Sequence, residues 1–505
     1  MASFSTDVDV LVVGGGINGA GIARDLAGRG LRVLLCEQHD LAQHTSSAST
    51  KLIHGGLRYL EHGEFGLVRK ALAERERLLR SAPHIMRPLR FVMPHDAAMR
   101  PAWLIRLGLF LYDHLARREW LPASGHIDLA RHPAGEPLQP RLRRAFTYAD
   151  GWVDDARLVL LNAIDAAERG AQVMTRCACT QVIGGSTGWT VQLQPDAGAP
   201  VTVQAKALVN ATGPWALRFI QQQLGLPPAR PLRLVKGSHI VVPRLFAHDD
   251  AYLFQNADRR IIFAIPYEGD FTLIGTTDVE HDGPVDQPAI SADEIQYLCD
   301  QASRYFAQPV QASDVVWTFS GVRPLLDDAA GKAAEITRDY RIELDTSHGA
   351  PLLQVWGGKL TTYRRLAEDA ADALCQALHR NSRPWTADAL LPGGDLSAFI
   401  GQPQRPDIDI ARFEQALRAA HADRPALPWA RWARAYGSRV DQLLQQPGVD
   451  AWVAPGICEA ELRHMVINEW ARTADDALWR RSKLGLHLDA AQREAVAGWW
   501  NRQRF

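Results

Sequence analysis

Three glycines and one carboxylate stand where a nucleotide cofactor would need them. Gly14, Gly16 and Gly19 form GxGxxG directly after the apolar run Val8–Val13, and Glu37 closes a second apolar run one helix later. In a strand, turn, helix, strand unit, Gly14 allows the tight turn and Gly16 lets backbone approach a pyrophosphate. Gly19 lets the helix lie against the strand, and the helix N-terminus offers free N–H groups to phosphate oxygens. Glu37 is placed to accept from ribose hydroxyls. A second dense stretch, TSSASTKLIHGGLRYLEHGEF (45–65), carries Ser46 and Ser47 for further phosphate contacts. There His54 and Arg58 stand one helical turn apart, with Tyr59 next in line. On a helix they would share a face, an arrangement that taken alone marks a surface pair more often than a site. Two later turns have the same character. Ala211-Thr212-Gly213 follows a buried run and suits a close backbone approach. Gly357-Gly358-Lys359 ends another strand, just before Leu360 and a helix beginning near Thr361 whose positive N-terminus could face partial negative charge.

These residues need a scaffold, and the chain is long enough to supply one. Its 505 residues, 47% hydrophobic and 22% charged, support a large core and two or three domains. A net charge of -1 gives no basic field, which speaks against nucleic acid as a partner. The six cysteines are scattered, and Cys177-Ala178-Cys179 lacks the two-residue spacer of a redox or zinc motif, so no metal site is expected. The first strand begins so near residue 1 that a signal peptide has no room, which points to the cytoplasm.

No apolar run reaches the ~18–20 residues of a spanning helix. The nearest, 101–118, repeats Trp103, Leu104, Leu107, Leu111 and Leu115 at helical spacing among arginines, and fits a core helix or one lying in a bilayer interface equally. Residues 66–92 read as an amphipathic helix and 154–168 as another. Alternating runs at 238–243, 251–255, 260–266 and 271–276 read as an antiparallel sheet, a different layer from the nucleotide unit. The tryptophan-rich remainder beyond Pro392 reads as helical, with no chemistry visible.

The motifs VGGGINGAGIARD (13–25), SSASTKLIHGGLRYLE (46–61), WVDDARL (152–158), VNATGPW (209–215), KGSHIVVP (236–243), IGTTD (274–278), SGVRPL (320–325), ITRDY (336–340), WGGKLTTYR (356–364) and DDALWRRSKLGL (475–486), taken together and in order, resemble the FAD-dependent, aerobic glycerol-3-phosphate dehydrogenases. Trp356 stands where that family usually has phenylalanine. The resemblance implies an α/β fold: a Rossmann-like FAD-binding domain of the glutathione-reductase/D-amino-acid-oxidase type, an inserted antiparallel β substrate domain and a C-terminal helical domain. The expected division is 1–85, 145–235 and 320–388 for FAD, 86–144 and 236–319 for substrate, and 389–505 for the helical domain.

The same resemblance implies oxidation of sn-glycerol 3-phosphate to dihydroxyacetone phosphate. Electrons would pass to ubiquinone or menaquinone at the inner face of the cytoplasmic membrane, where the protein would attach peripherally, with a homodimer allowed. Residue chemistry agrees with this substrate. Arg58, Arg323 and Arg338 supply guanidinium forks for a phosphate dianion, beside Tyr59, and Lys359 supplies a point charge. Loss of the C2 hydroxyl proton needs a base, for which His54 and His239 are the candidates, with Lys359 also able to stabilise charge on a reduced flavin. The sequence leaves the choice between the histidines open. Alternatives are an oxygen-using glycerol-phosphate oxidase, an amino-acid or sarcosine-type oxidase, and a flavin-bound sensor without turnover.

Overall fold

The run Asp7–Val13 is a strand with every residue but the first buried. It lies parallel to Val201–Asn210 on one side and to Val33–Cys36 on the other. A parallel strand covered on both faces has no polar side, which is why the sequence here shows a continuous apolar run and no alternation. The protein is described here from a computed structural model covering residues 5–96, 101–227, 231–256, 260–326 and 339–503. Among these residues the first sheet has eight strands, ordered 341–345, 352–356, 201–210, 7–13, 33–36 and 172–174. The antiparallel pair Cys177–Gly184 and Trp189–Pro195 joins it through Val201–Asn210. Helices Ile17–Gly28, Asp155–Glu168 and Tyr363–Ala377 pack on this sheet through one shared apolar core.

The second sheet has ten strands among the described residues and is mostly antiparallel. Its long strand Leu232–Pro243 is flanked by Trp317–Leu326 and by Phe271–Gly275. The order continues through Ile261–Tyr267 and Ala251–Gln255 to Met86–His95 and Arg144–Val153. The expected antiparallel layer is therefore present, and larger than its alternating runs alone indicated. Residues 66–92 do not form one helix: the helix is Phe65–Ser81, and after Pro83 the chain turns into the strand Met86–His95. The boundaries drawn at 145 and 320 fall inside strands Arg144–Val153 and Trp317–Leu326, both of which belong to this second sheet.

Beyond residue 389 the chain is helical, with one small β-pair, Trp452–Ala454 and Ile457–Cys458. Trp429, Trp432 and Trp499 are fully buried here, which accounts for the tryptophan-rich composition. Buried ion pairs tie this part to the first sheet's side. Arg157 meets Glu469 at 2.9 and 3.2 Å, Arg481 reaches Asp40 at 2.5 and 2.8 Å, and Arg176 reaches Asp476 at 2.8 Å. The Arg157–Glu469 pair is almost wholly out of water, so removing one partner strands a charge. Glu469→Ala should therefore cost about 3–5 kcal/mol and lower the thermal midpoint. Replacing both residues with apolar ones of similar volume should cost less, and an unchanged midpoint for Glu469→Ala would show that Arg157 does not depend on its partner.

Candidate active site

The glycine turn is built by contact as much as by conformation. Gly14 has φ +109°, and a Cβ there would come within 2.5 Å of the Ala211 carbonyl oxygen; a Cβ at Gly19 would lie 1.9 Å from the Gly14 carbonyl oxygen. The strand, the helix Ile17–Gly28 and the 211–213 turn can close on one another only without side chains at these points. Gly16 caps the helix with no side-chain bond, and the Ile17 N–H donates to Ser46 Oγ at 3.0 Å. Glu37 accepts from the Gly15 N–H at 2.7 Å and the His39 N–H at 2.8 Å. Burial pushes its carboxyl pKa up, and those two N–H groups pull it part of the way back. Each carboxylate oxygen keeps a second lone pair for a ribose hydroxyl.

Two cavities meet at this helix end. One, of about 380 Å³, is lined by Gly14, Gly16, Glu37, Ser46, Ala211, Thr212 and Gly213 among others. The second, of about 290 Å³, is lined by His54, Tyr59, His239, Arg323, Lys359, Leu360 and Thr361 among others. Both share Ile17, Thr45, Ser46, Pro324, Gly357 and Gly358, so they form one trough bent around the helix N-terminus. Gly357 and Gly358, at φ +65° and +101°, bring backbone to the bend, and the Asn18 side-chain amide donates to the Gly357 carbonyl oxygen at 3.0 Å. The Asn18 Oδ1 atom is buried there without a hydrogen-bond partner among the described residues. An elongated, doubly phosphorylated nucleotide fits this donor set, with its pyrophosphate at the helix end and its rings in the two arms.

The second arm takes His239 and Arg323 from the second sheet. His239 lies opposite Gly275 on one neighbouring strand and opposite Phe319 on the other. Its Nε2 shares a hydrogen bond with Thr50 Oγ1 at 2.9 Å, and its Nδ1 is buried with no partner. Burial first, then the charges of Lys51 and Arg323, hold the imidazole pKa well below 6.5, so it is neutral. Arg323 is held by Asp278 at 2.8 Å and by Thr276 Oγ1 at 3.3 Å, and Gly237 leaves the room it needs, since a Cβ there would sit 2.1 Å from Nη2. Lys359 places its ammonium 3.9 Å from the centre of the Tyr59 ring. The His54 N–H donates to Thr361 Oγ1 at 3.0 Å.

Not every expected residue arrives. His54 and Arg58 do not share a helical face, because Gly56 has φ +77° and the short helix begins only at Leu57. Gly55 and Gly56 thus lie in a turn, and Arg58, partly buried beyond it, lines neither cavity. Ser47 lines neither cavity; its Oγ donates to the His44 carbonyl oxygen. Arg338 lies outside the described residues.

Sequence reasoning passed over Thr50, Asp278 and the buried pair Lys51–Asp155, whose atoms stand 2.8 Å apart beneath the second arm. Lys51 and Asp155 lie inside SSASTKL and WVDDARL, so an adjacent charge in each polar motif was the available signal. Nothing in the sequence says that those charges meet.

Comparison with known proteins agrees with the geometry. Residues 9–364 match the family of FAD dependent oxidoreductases. The chain is 52% identical to a glycerol-3-phosphate dehydrogenase of Pseudomonas aeruginosa, over 96% of this chain and 93% of that one. It is 47% identical to a D-erythritol 1-phosphate dehydrogenase of Brucella abortus, over 98% and 97%. A crystal structure of a Bacillus halodurans glycerol-3-phosphate dehydrogenase complexed with FAD superposes with a TM-score of 0.78 at 27% identity, covering 99% of this chain and 92% of that one. A trough shaped for a dinucleotide and matches of this length lead to one conclusion: the chain belongs to the FAD-dependent oxidoreductase family, on its glycerol-3-phosphate dehydrogenase branch, and its cofactor is FAD.

Proposed function

We propose that this enzyme oxidises sn-glycerol 3-phosphate to dihydroxyacetone phosphate. The observation that carries this reading is the gathering of Arg323, Lys359 and His239 on one cavity that opens into the nucleotide trough. FAD, when bound along Gly14, Gly16, Glu37, Ser46, Ala211–Gly213 and Gly357–Gly358, supplies the acceptor for the hydride lost from C2. The chain's own groups do the rest. Arg323, aimed by Asp278 and Thr276, offers its remaining N–H groups to the phosphate, and Lys359 adds a point charge.

His239 takes the proton of the C2 hydroxyl. It is preferred because burial and the charges of Lys51 and Arg323 keep its imidazole unprotonated, the state a base requires, on the wall of the cavity that Arg323 also lines. Lys359, at the start of the helix segment 360–377, also stabilises negative charge near the reacting end of the cofactor. A second reading, a four-carbon alditol phosphate as substrate, is favoured by the Brucella relative. The ratio of kcat/KM for glycerol 3-phosphate to that for erythritol phosphate decides between them.

The electron acceptor in this reading is a membrane quinone, ubiquinone or menaquinone. Among the described residues no helix is long and apolar enough to cross a membrane, so contact would be made from one side. Helix Ala102–His114 supports such contact. It turns Leu109 and Tyr112 inward and leaves Trp103, Leu104, Leu107 and Phe110 exposed, at 67, 42, 48 and 57%. Four large apolar side chains on one exposed helix, with Arg117 and Arg118 just beyond its end, suit the acyl boundary and anionic headgroups.

Three outcomes follow. Arg323→Ala should raise KM for glycerol 3-phosphate about 10–10²-fold, roughly 1.5–3 kcal/mol for a lost charge-assisted bond, and an unchanged KM would remove Arg323 from the clamp. Because the base must be unprotonated and the His239 pKa is lowered, the acid limb of kcat/KM should lie below pH 6.5; a limb at or above 6.5 would remove His239 as the base. Leu107→Asp or Phe110→Asp should fold, keep dye-linked activity, lose quinone-linked activity and leave the membrane fraction. Variants that keep both activities and still sediment with membranes would place the contact elsewhere.

A further inference from the structure

No described residue beyond Thr361 lines either cavity, yet the helical C-terminal part reaches the buried imidazole through a stack of rings. Trp479 stacks on Trp317, with centroids 4.9 Å apart and planes at 25°. Trp317 leans on Phe319 at 5.0 Å, and Phe319 stacks on His239 at 4.8 Å with planes at 16°. Trp317 and Phe319 are two residues apart on one strand and so project from the same face of the sheet.

The imidazole is held between this stack and a glycine. A Cβ at Gly275 would lie 2.1 Å from His239 Cδ2, so the backbone of the neighbouring strand presses on the ring. The bond to Thr50 at Nε2 fixes one point of the ring but leaves its plane free to turn about that contact. Phe319 sets the plane. Lys51, whose ammonium stands 5.0 Å from the Phe319 ring centre, and Arg323 are the charged groups facing this part of the site.

The outer end of the stack is held with equal care. Trp479 lies in the π-helical turn Asp476–Arg481, and a Cβ at Gly485 would come within 2.5 Å of its indole. The Lys483 ammonium donates to the Trp479 carbonyl oxygen at 2.6 Å. The next two residues, Arg480 and Arg481, both pair with Asp40, which follows the Glu37 end of the nucleotide unit. The segment that carries Trp479 is thus anchored to the FAD side while its indole supports the substrate side.

We propose that Trp479 is a positioning residue for His239, acting through Trp317 and Phe319, so that docking of the C-terminal domain sets the angle at which the imidazole meets the substrate hydroxyl. This rests on the reading of His239 as proton acceptor. The test uses the full FAD-loaded enzyme and three variants. Trp479→Leu keeps apolar bulk without a flat face, Trp479→Phe keeps the face, and His239→Asn removes the base.

For Trp479→Leu the rate of flavin bleaching at saturating glycerol 3-phosphate should fall about tenfold, the scale of a displaced reacting group, with KM and FAD content near wild type. Trp479→Phe should restore most of the rate, and Trp479→Leu combined with His239→Asn should be no slower than His239→Asn alone. Crystal structures should show the imidazole plane turned from the Phe319 ring in the Leu variant and parallel to it in the Phe variant. A Leu variant at wild-type rate, or one slowed only through loss of FAD with its imidazole unmoved, overturns the proposal. Slow His239→Asn with fast Trp479→Leu defeats the stack alone, whereas fast His239→Asn defeats the base assignment and the stack with it.

Discussion

Everything in this enzyme hangs on the contact between Gly19 and the carbonyl of Gly14. With less than 2 Å available to a Cβ, the helix can lie against the strand end only if residue 19 has no side chain. That approach aims the helix N-terminus at the bend of the trough. Ala211, closing on Gly14 from the neighbouring strand, fixes the far wall in the same way. A bulkier residue at either glycine would shift the helix end, and with it the shared wall of both cavities.

The second sheet solves a different problem, which is to put cationic and basic groups into an apolar setting without stranding them. Gly237 and Gly275 lie on adjacent strands and make room for Arg323 and His239 respectively. Around them the polar groups are paired in depth. Glu294 accepts from Ser238 Oγ at 2.9 Å and Thr277 Oγ1 at 2.8 Å, and meets the Lys236 ammonium at 2.8 Å, which steadies the 276–278 turn that holds Arg323. A buried carboxylate with this many donors stays charged, and Lys236 holds its pKa below the usual range against the effect of burial. Rigid support of this kind lets a guanidinium face a substrate dianion in one orientation.

The C-terminal part completes the molecule through charge as well as apolar contact, Leu391 and Trp470 packing on the first sheet's core and Trp479 stacking on Trp317. Two cores of its own surround Trp432 and Trp499, while Arg157–Glu469 and Arg481–Asp40 cross the boundary almost without water and Arg176–Asp476 crosses it partly exposed. Pairs of this sort add little net stability, because desolvation offsets attraction, but they penalise any misaligned docking heavily. That property suits a domain whose contact with the site runs through the orientation of rings.

Much of this was legible in the order of residues. GxGxxG between apolar runs, the acidic Glu37, the Ala211–Gly213 turn and the Gly357–Gly358 turn are local features: each depends on backbone freedom or on period-two and period-3.6 patterning within a few residues. The strands within 238–276 were legible for the same reason, though the first of them begins six residues earlier, at Leu232. Met86–His95 was not, because an arginine-rich run with two prolines carries no clean period and becomes a strand only when Arg144–Val153 pairs with it. His54 and Arg58 were read as neighbours on a helix that the positive φ of Gly56 forbids. Distance along the chain hid the rest. Thr50 meets His239 across 189 positions, Lys51 meets Asp155 across 104, and Trp479 reaches Trp317 from another domain. The sequence by itself determined which segments could cradle a dinucleotide, since that chemistry is local. Only the tertiary structure decided which histidine is buried neutral beside Arg323, because burial and the field of distant charges exist only once the sheets have closed.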